Sequence, residues 1–163
     1  MSDSDMELNE AVRFTVQHAT NYVTMRHIER VRNLLNVMVK ELLRRGELHD
    51  QSKLRSPEVE LFTELTPRLA ACTYNSPEYN EMKKELDVAL KHHYANNRHH
   101  PEHFKDGIRD MNLVDLLEMF CDWKAASERH NDGNIRKSIE ANAGRFNMSA
   151  DLVRIFENTV ELL

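Results

Sequence analysis

Residues 113–129 read LVDLLEMFCDWKAASER, with neither a glycine nor a proline. Wound at about 100° per residue, Leu113, Val114, Leu116, Leu117, Met119, Phe120, Cys121, Trp123, Ala125 and Ala126 cover nearly the whole circumference. Asp115, Glu118, Asp122 and Arg129 share the one narrow stripe left over. A helix apolar almost all round belongs at the centre of a helical domain. Asn112 is suited to cap its start, with Asp115 at the capping-box position.

The same period extends outward in both directions. The first twenty residues suggest an amphipathic helix around Val12, Val16 and Ala19. A long second helix is expected from about Thr24 to Arg45, its apolar stripe running through Val31, Leu34, Met38 and Leu42. Gly46 stands where a helix C-cap belongs. Ser56-Pro57-Glu58 and Ser76-Pro77-Glu78 repeat one start signal, a serine cap followed by proline and an acid. They open helices at 57–72, which Pro67 would break or kink, and at 77–95. After a turn at Asn131-Asp132-Gly133, helices at 135–146 and 149–162 finish the chain. The expectation is all-α: a single domain over 1–163, a bundle of six or seven helices.

Composition agrees and narrows the function. Only 4 Gly and 4 Pro occur in 163 residues, too few for the many tight turns of a sandwich or barrel. A net charge of -5 disfavours a nucleic-acid or anionic-membrane surface. The segment SIEANAGRFNMSADLVRIF could pass for a helix-turn-helix, but the same charge argues against DNA reading. No apolar run approaches a membrane span, and the acidic start lacks a leader pattern, so the cytoplasm is the expected compartment. Cys72 and Cys121 lie far apart and suggest neither disulfide nor thiolate zinc site.

Histidine is the unusual entry: nine in the chain, five of them between His92 and His103. His27 shares the stripe of Val31, Leu34 and Met38, where an imidazole needs a partner for its ring nitrogens. His49-Asp50, within HDQSK, can offer a nitrogen and a carboxylate oxygen to one cation. Lys53, one turn on, could hold an anionic oxygen beside it. In HHYANNRHHPEHF (92–104), His93 continues the inward stripe of Tyr79, Met82, Leu86 and Ala89, with His92 at its edge. His99, His100 and His103 follow the helix end at Asn96-Asn97. Asp122 is the favoured acid of the 113–129 stripe, because a buried carboxylate needs a counter-ion or a metal. Asp115 could be only a cap, and Glu118 and Asp122 could instead pair with Arg129 or Lys124. Ser138, Asn142 and Arg145 fall on one face of the penultimate helix, suited either to solvent or to a nucleotide's polar groups.

The order His27, His49-Asp50, histidine cluster, Asp122 resembles the HD-domain superfamily of metal-dependent phosphohydrolases, with HDQSK similar to that family's HD-x-x-K form. HHYANNRHHPEH and DLLEMFCDW also resemble the HHYxxNxHHPEH and DLxEMxxDW strings of a small uncharacterised phage and bacterial family. The resemblance covers residues 27–122. Ser52 stands where many relatives have glycine, and the motif of the cyclic-dinucleotide phosphodiesterases is missing.

The resemblance implies an HD-like fold and a divalent-metal phosphohydrolase of a nucleotide or related phosphate ester, in the cytoplasm or, for a phage protein, its host's. His27, His49, Asp50 and Asp122 would hold one ion, and Asp50 with His93 and His99 or His100 a second. The metal could be Mn, Co, Mg, Fe or Zn. Lys53 and Arg98 are the expected phosphate contacts, and Glu118 would orient the water or a ligand histidine. Ser138, Asn142 and Arg145 are further substrate candidates, and His92 and His103 outer or bystander groups. Two alternatives keep the residues and change the function: a di-iron oxygenase, and a non-enzymatic helical module binding metal or nucleotide. A homodimer, common in the superfamily, completes the expectation.

Overall fold

The computed structural model describes residues 3–71, 77–129 and 133–163. It is all-α, with no strand among those residues. Six α-helices follow in order: α1 (Asp3–Leu48), α2 (Glu58–Ala71), α3 (Pro77–Asn96), α4 (Leu113–Ser127), α5 (Ile135–Arg145) and α6 (Ala150–Thr159). Short 3₁₀ turns at Gln51–Leu54, Pro101–His103, Gly107–Asp110 and Val160–Leu162 join or finish them. The chain divides into two compact units, Met1–Leu43 and Arg44–Leu163.

The N-terminal unit is a stretch of α1 alone. One continuous helix replaces the two expected on either side of residue 22, because neither glycine nor proline interrupts the chain between them. The expected core stripe is exposed: Val31, Leu34 and Met38 are 41 %, 48 % and 41 % accessible. A unit made of one helix has no second element of its own to lie against that stripe. Gly46 does not end the helix, which continues to Leu48. A turn at His49-Asp50 follows, with Asp50 in the left-handed region at φ 57°.

In the second unit, α2 runs through Pro67 and packs on α3, where Leu65, Met82 and Ala89 are buried. Met119 and Phe120 of α4, Ile135 and Ile139 of α5 and Phe156 of α6 form the main core with Met111. Trp123 stacks on Phe146 at the core's edge, their ring planes 5° apart. The capping box at the start of α4 is present, with Asn112 accepting from the Val114 and Asp115 amides. α4 is not buried all round, as its composition suggested. Leu113, Leu117 and Cys121, spaced four apart on one face, are exposed. The expected turn at Asn131-Asp132-Gly133 falls largely outside the described residues, as do Cys72 and Ser76.

Candidate metal centre

Three elements of the second unit bring ligand-type side chains together. The turn after α1 supplies His49 and Asp50, and the positive φ of Asp50 is a conformation that acidic side chains tolerate better than most. The end of α3 and the loop after it supply His93, His99 and His100. α4 supplies Glu118 and Asp122 from one face, four residues apart.

The two oxygens of Asp50 serve two different groups. On one side, Oδ1 lies 3.2 Å from His93 Nε2 and 3.5 Å from His99 Nε2, and His93 Nε2 lies 2.9 Å from His100 Nε2. On the other, Oδ2 and Asp122 Oδ1 each lie 3.6 Å from His49 Nε2. Asp50, His93, His99 and His100 therefore form one potential ligand set, and His49, Asp50 and Asp122 another.

Buried polar atoms show that hydrogen bonding alone does not satisfy this arrangement. Among the described residues, Asp50 Oδ1 and both ring nitrogens of His99 have no hydrogen-bond partner. His99 is 1 % exposed, away from bulk solvent. Leaving such groups unpaired costs about 1–3 kcal/mol each. An ion bonded at about 2.1 Å holds its ligand atoms about 3.0–3.4 Å apart at right-angle or tetrahedral bond angles. The spacings above fall in or close to that range. Imidazole nitrogens and carboxylate oxygens suit zinc, iron and manganese alike. The clustered residues could hold a metal ion.

Glu118, expected to be an orienting group, faces both His49 and His99 and forms a third potential ligand set with them. Its Oε1 accepts a hydrogen bond from His49 Nδ1 at 3.1 Å, which leaves His49 Nε2 facing Asp50 and Asp122. The same oxygen is 3.1 Å from His99 Nδ1, without hydrogen-bond geometry. Arg45 fixes the other oxygen at 2.9 Å. Burial works against the Glu118 charge, but His49 and His99 outweigh it and bring the carboxyl down to about 2. Asp122 and Glu118 together push His49 up to about 10. Burial among its histidine neighbours pulls His100 down to about 3, so it is a neutral imidazole with a lone pair to offer. Asp50, despite burial, is held well below the usual carboxylate range by His93 and Lys53.

The other sequence candidates fall in different places. Lys53, expected on phosphate, bonds Asp50 Oδ2 at 2.7 Å beside the ligand sets. Arg98, expected on phosphate, instead clamps Asp115 through Nε (3.1 Å) and Nη2 (2.9 Å) and lies over the Phe104 ring. Asp115, fully buried, also receives Arg45 at 2.7 Å; it is both cap and ion-pair hub. Lys124 pairs with Glu128, and neither Glu118 nor Asp122 depends on it. Ser138 lines a shallow hollow with Ala126, Asn134 and Lys137, and Asn142 bonds the Ser138 carbonyl. Arg145 pairs with Glu102 and reaches Tyr94, whose ring is 4.9 Å from His100. His27 is exposed in the N-terminal unit and joins none of the ligand sets found among the described residues. His103 bonds the Tyr94 carbonyl, a structural contact, while His92 bonds Glu58. Sequence reasoning missed Glu58 itself, because an acid after Ser-Pro reads as an ordinary helix start.

Residues 16–162 match the model of a family described only as a family of unknown function, DUF5662. The chain belongs to that family. No curated protein and no solved structure matches this DUF5662 chain. Among its described residues, no helix is long and apolar enough to cross a membrane.

Proposed function

We propose that the chain is a divalent-metal-dependent phosphohydrolase acting on a nucleotide or a related small phosphate ester. One observation carries the reading: Asp50 presents one oxygen to an imidazole-rich set and the other to His49 and Asp122, while its buried Oδ1 and the nitrogens of His99 lack partners. His93, His99, His100 and Asp50 would hold one ion, and His49, Asp50 and Asp122 a second. Ions in such sets lower the pKa of bound water and offset charge on phosphoryl oxygens. Lys53, partly exposed beside Asp50 Oδ2, is the cation placed to meet an anionic substrate oxygen. Glu118 keeps His49 facing inward. The resemblance of His49-Asp50, the histidine cluster and Asp122 to the HD superfamily supports phosphate esters as the substrate class, and nucleotides among them. His27 joins none of the ligand sets found among the described residues and does not share in that support.

The test is elemental analysis of the purified full chain, then phosphate release from a nucleotide panel with Mn, Co, Mg and Fe. Metal bound near two equivalents with phosphate release supports the reading. Retained iron with oxygen consumption and no phosphate release would replace it with an oxygenase. A chain that folds and binds no metal would leave a helical module without this chemistry.

A further inference from the structure

Glu58 opens α2, where an acid normally sits in solvent near the helix dipole. Here it is fully buried. Its Oε2 accepts from Ser52 Oγ at 3.0 Å and faces His93 Nδ1 at 2.9 Å, and its Oε1 faces His92 Nδ1 at 2.7 Å. His93 Nδ1 also lies 3.0 Å from Asn97 Nδ2 and 3.1 Å from Ser52 Oγ, but the hydrogens of both groups have closer acceptors. Asn97 Nδ2 donates to Ser52 Oγ and to the His93 carbonyl, each at 2.8 Å, and Ser52 donates onward to Glu58 Oε2 at 3.0 Å. An ionised carboxylate only accepts, so the proton between Glu58 and His93 belongs to Nδ1. The other nitrogen, Nε2, is then the lone pair aimed at Asp50 Oδ1 and His100.

We propose that Glu58 is the positioning residue that fixes His93 as the Nδ1–H tautomer and thereby makes His93 Nε2 a metal ligand. The ligand role rests on the metal-centre reading above; the tautomer does not. Two carboxylates compete for the single proton of neutral His93. If Glu58 holds it at Nδ1, Nε2 is free to bind a cation. If Asp50 Oδ1, 3.2 Å away, holds it at Nε2, the nitrogen is blocked. Glu58 prevails because its Oε2, held by Ser52, meets Nδ1 at 2.9 Å in hydrogen-bond geometry, whereas the 3.2 Å contact of Nε2 with Asp50 Oδ1 lacks that geometry. Metal-bound histidines commonly give their second N–H to a carboxylate in this way.

The first experiment needs no metal. Imidazole ¹⁵N shifts of the metal-free full chain, taken where His93 carries one proton, report which nitrogen holds it. Nδ1–H in the wild type and Nε2–H in Glu58→Leu, which keeps bulk and removes the acceptor, is the expected result. An Nε2–H tautomer in the wild type overturns the proposal even if no variant folds. The second experiment titrates Co²⁺ and follows its visible absorption. Glu58→Leu should weaken the set containing His93 by roughly 10–100-fold and leave the His49–Asp50–Asp122 set within a few-fold of wild type. Equal weakening of both sets means a general loss of structure and overturns the specific role, as does unchanged affinity. A wild type that binds no Co²⁺ would defeat the metal-centre reading and the ligand role with it, while the tautomer assignment would still be decided by the ¹⁵N shifts.

Discussion

Asp50 Oδ1 and His99 Nε2 face each other at 3.5 Å, both buried, and neither has a hydrogen-bond partner among the described residues. The gap is too long for a hydrogen bond and short enough for two ligands of one cation. A cation there satisfies both atoms at once, so metal should stabilise the native state strongly. At a free concentration 100-fold above its dissociation constant, a ligand that binds only the folded chain adds about 2.7 kcal/mol. For a chain of this size that raises Tm by about 5–10 °C. Thermal melts with Mn²⁺ or Co²⁺, then with excess EDTA, should show the rise and its reversal. Asp50→Asn should show neither. An identical rise in Asp50→Asn would move the binding site elsewhere.

The two ligand sets that contain Asp50 are otherwise distinguishable by mutation. His100→Ala removes a ligand only from the imidazole-rich set, and Asp122→Asn only from the His49 set. Each should lower metal content by about one equivalent, and Asp50→Asn should lower both. Both single-set variants should lose at least 100-fold in phosphate release, because the proposed chemistry needs both ions. Full metal occupancy in Asp122→Asn would remove that residue from the centre.

Periodicity made much of this legible. The stripe Asp115, Glu118, Asp122 on α4 follows from a 3.6-residue period, and the structure turns all three toward charged or ligand-type partners. His93 was readable as inward-facing because it continues the line of Met82 and Ala89, which are buried. What stayed hidden depends on pairs far apart in sequence. Nothing near Arg98 announces Asp115, and nothing near Arg45 announces Asp115 and Glu118, about seventy residues away. Glu58 was hidden by its own neighbours, since Ser-Pro-Glu explains itself as a helix start. His27 was placed by its stripe, but a stripe shows which residues share a face and not what covers that face.

Glu118 should behave as an orienting group and not as a ligand of equal weight. In Glu118→Gln the amide can turn its N–H₂ toward His49 Nδ1, leaving the proton on Nε2, where it blocks metal. Affinity of the His49 set should fall roughly 10–100-fold, with the protein still folded. Arg45 keeps Asp115 as a partner in that variant. Co²⁺ titration beside a melting curve separates the effects. An unchanged Co²⁺ affinity would reduce Glu118 to a partner of Arg45.

Asp115 gives the complementary case, a carboxylate whose loss should harm the fold and spare the metal. It is fully buried, yet Arg98, Arg45 and the Asn112 amide overcome that burial and hold its carboxyl below the usual 3.8. In acid the folded state therefore binds fewer protons than the unfolded one. The stabilisation is complete above about pH 3.8 and is lost as the pH falls through the lower folded value. Asp115→Asn removes that pH dependence and leaves Arg45, whose side chain is 12 % exposed, short of one partner. Breaking a buried pair costs about 3–5 kcal/mol. The lower end applies, because the Arg98 side chain is 42 % exposed and can turn to water, and Arg45 keeps Glu118. A loss of about 3 kcal/mol corresponds to a fall in Tm of about 6–12 °C. Chemical denaturation of metal-free protein between about pH 2 and 5 should show stability rising more steeply with pH in the wild type than in Asp115→Asn. Metal content per folded molecule should be the same in both. If Asp115→Asn instead lost metal and kept its stability, Asp115 would belong to the centre and Arg98 would be freed for substrate, as its sequence position first suggested.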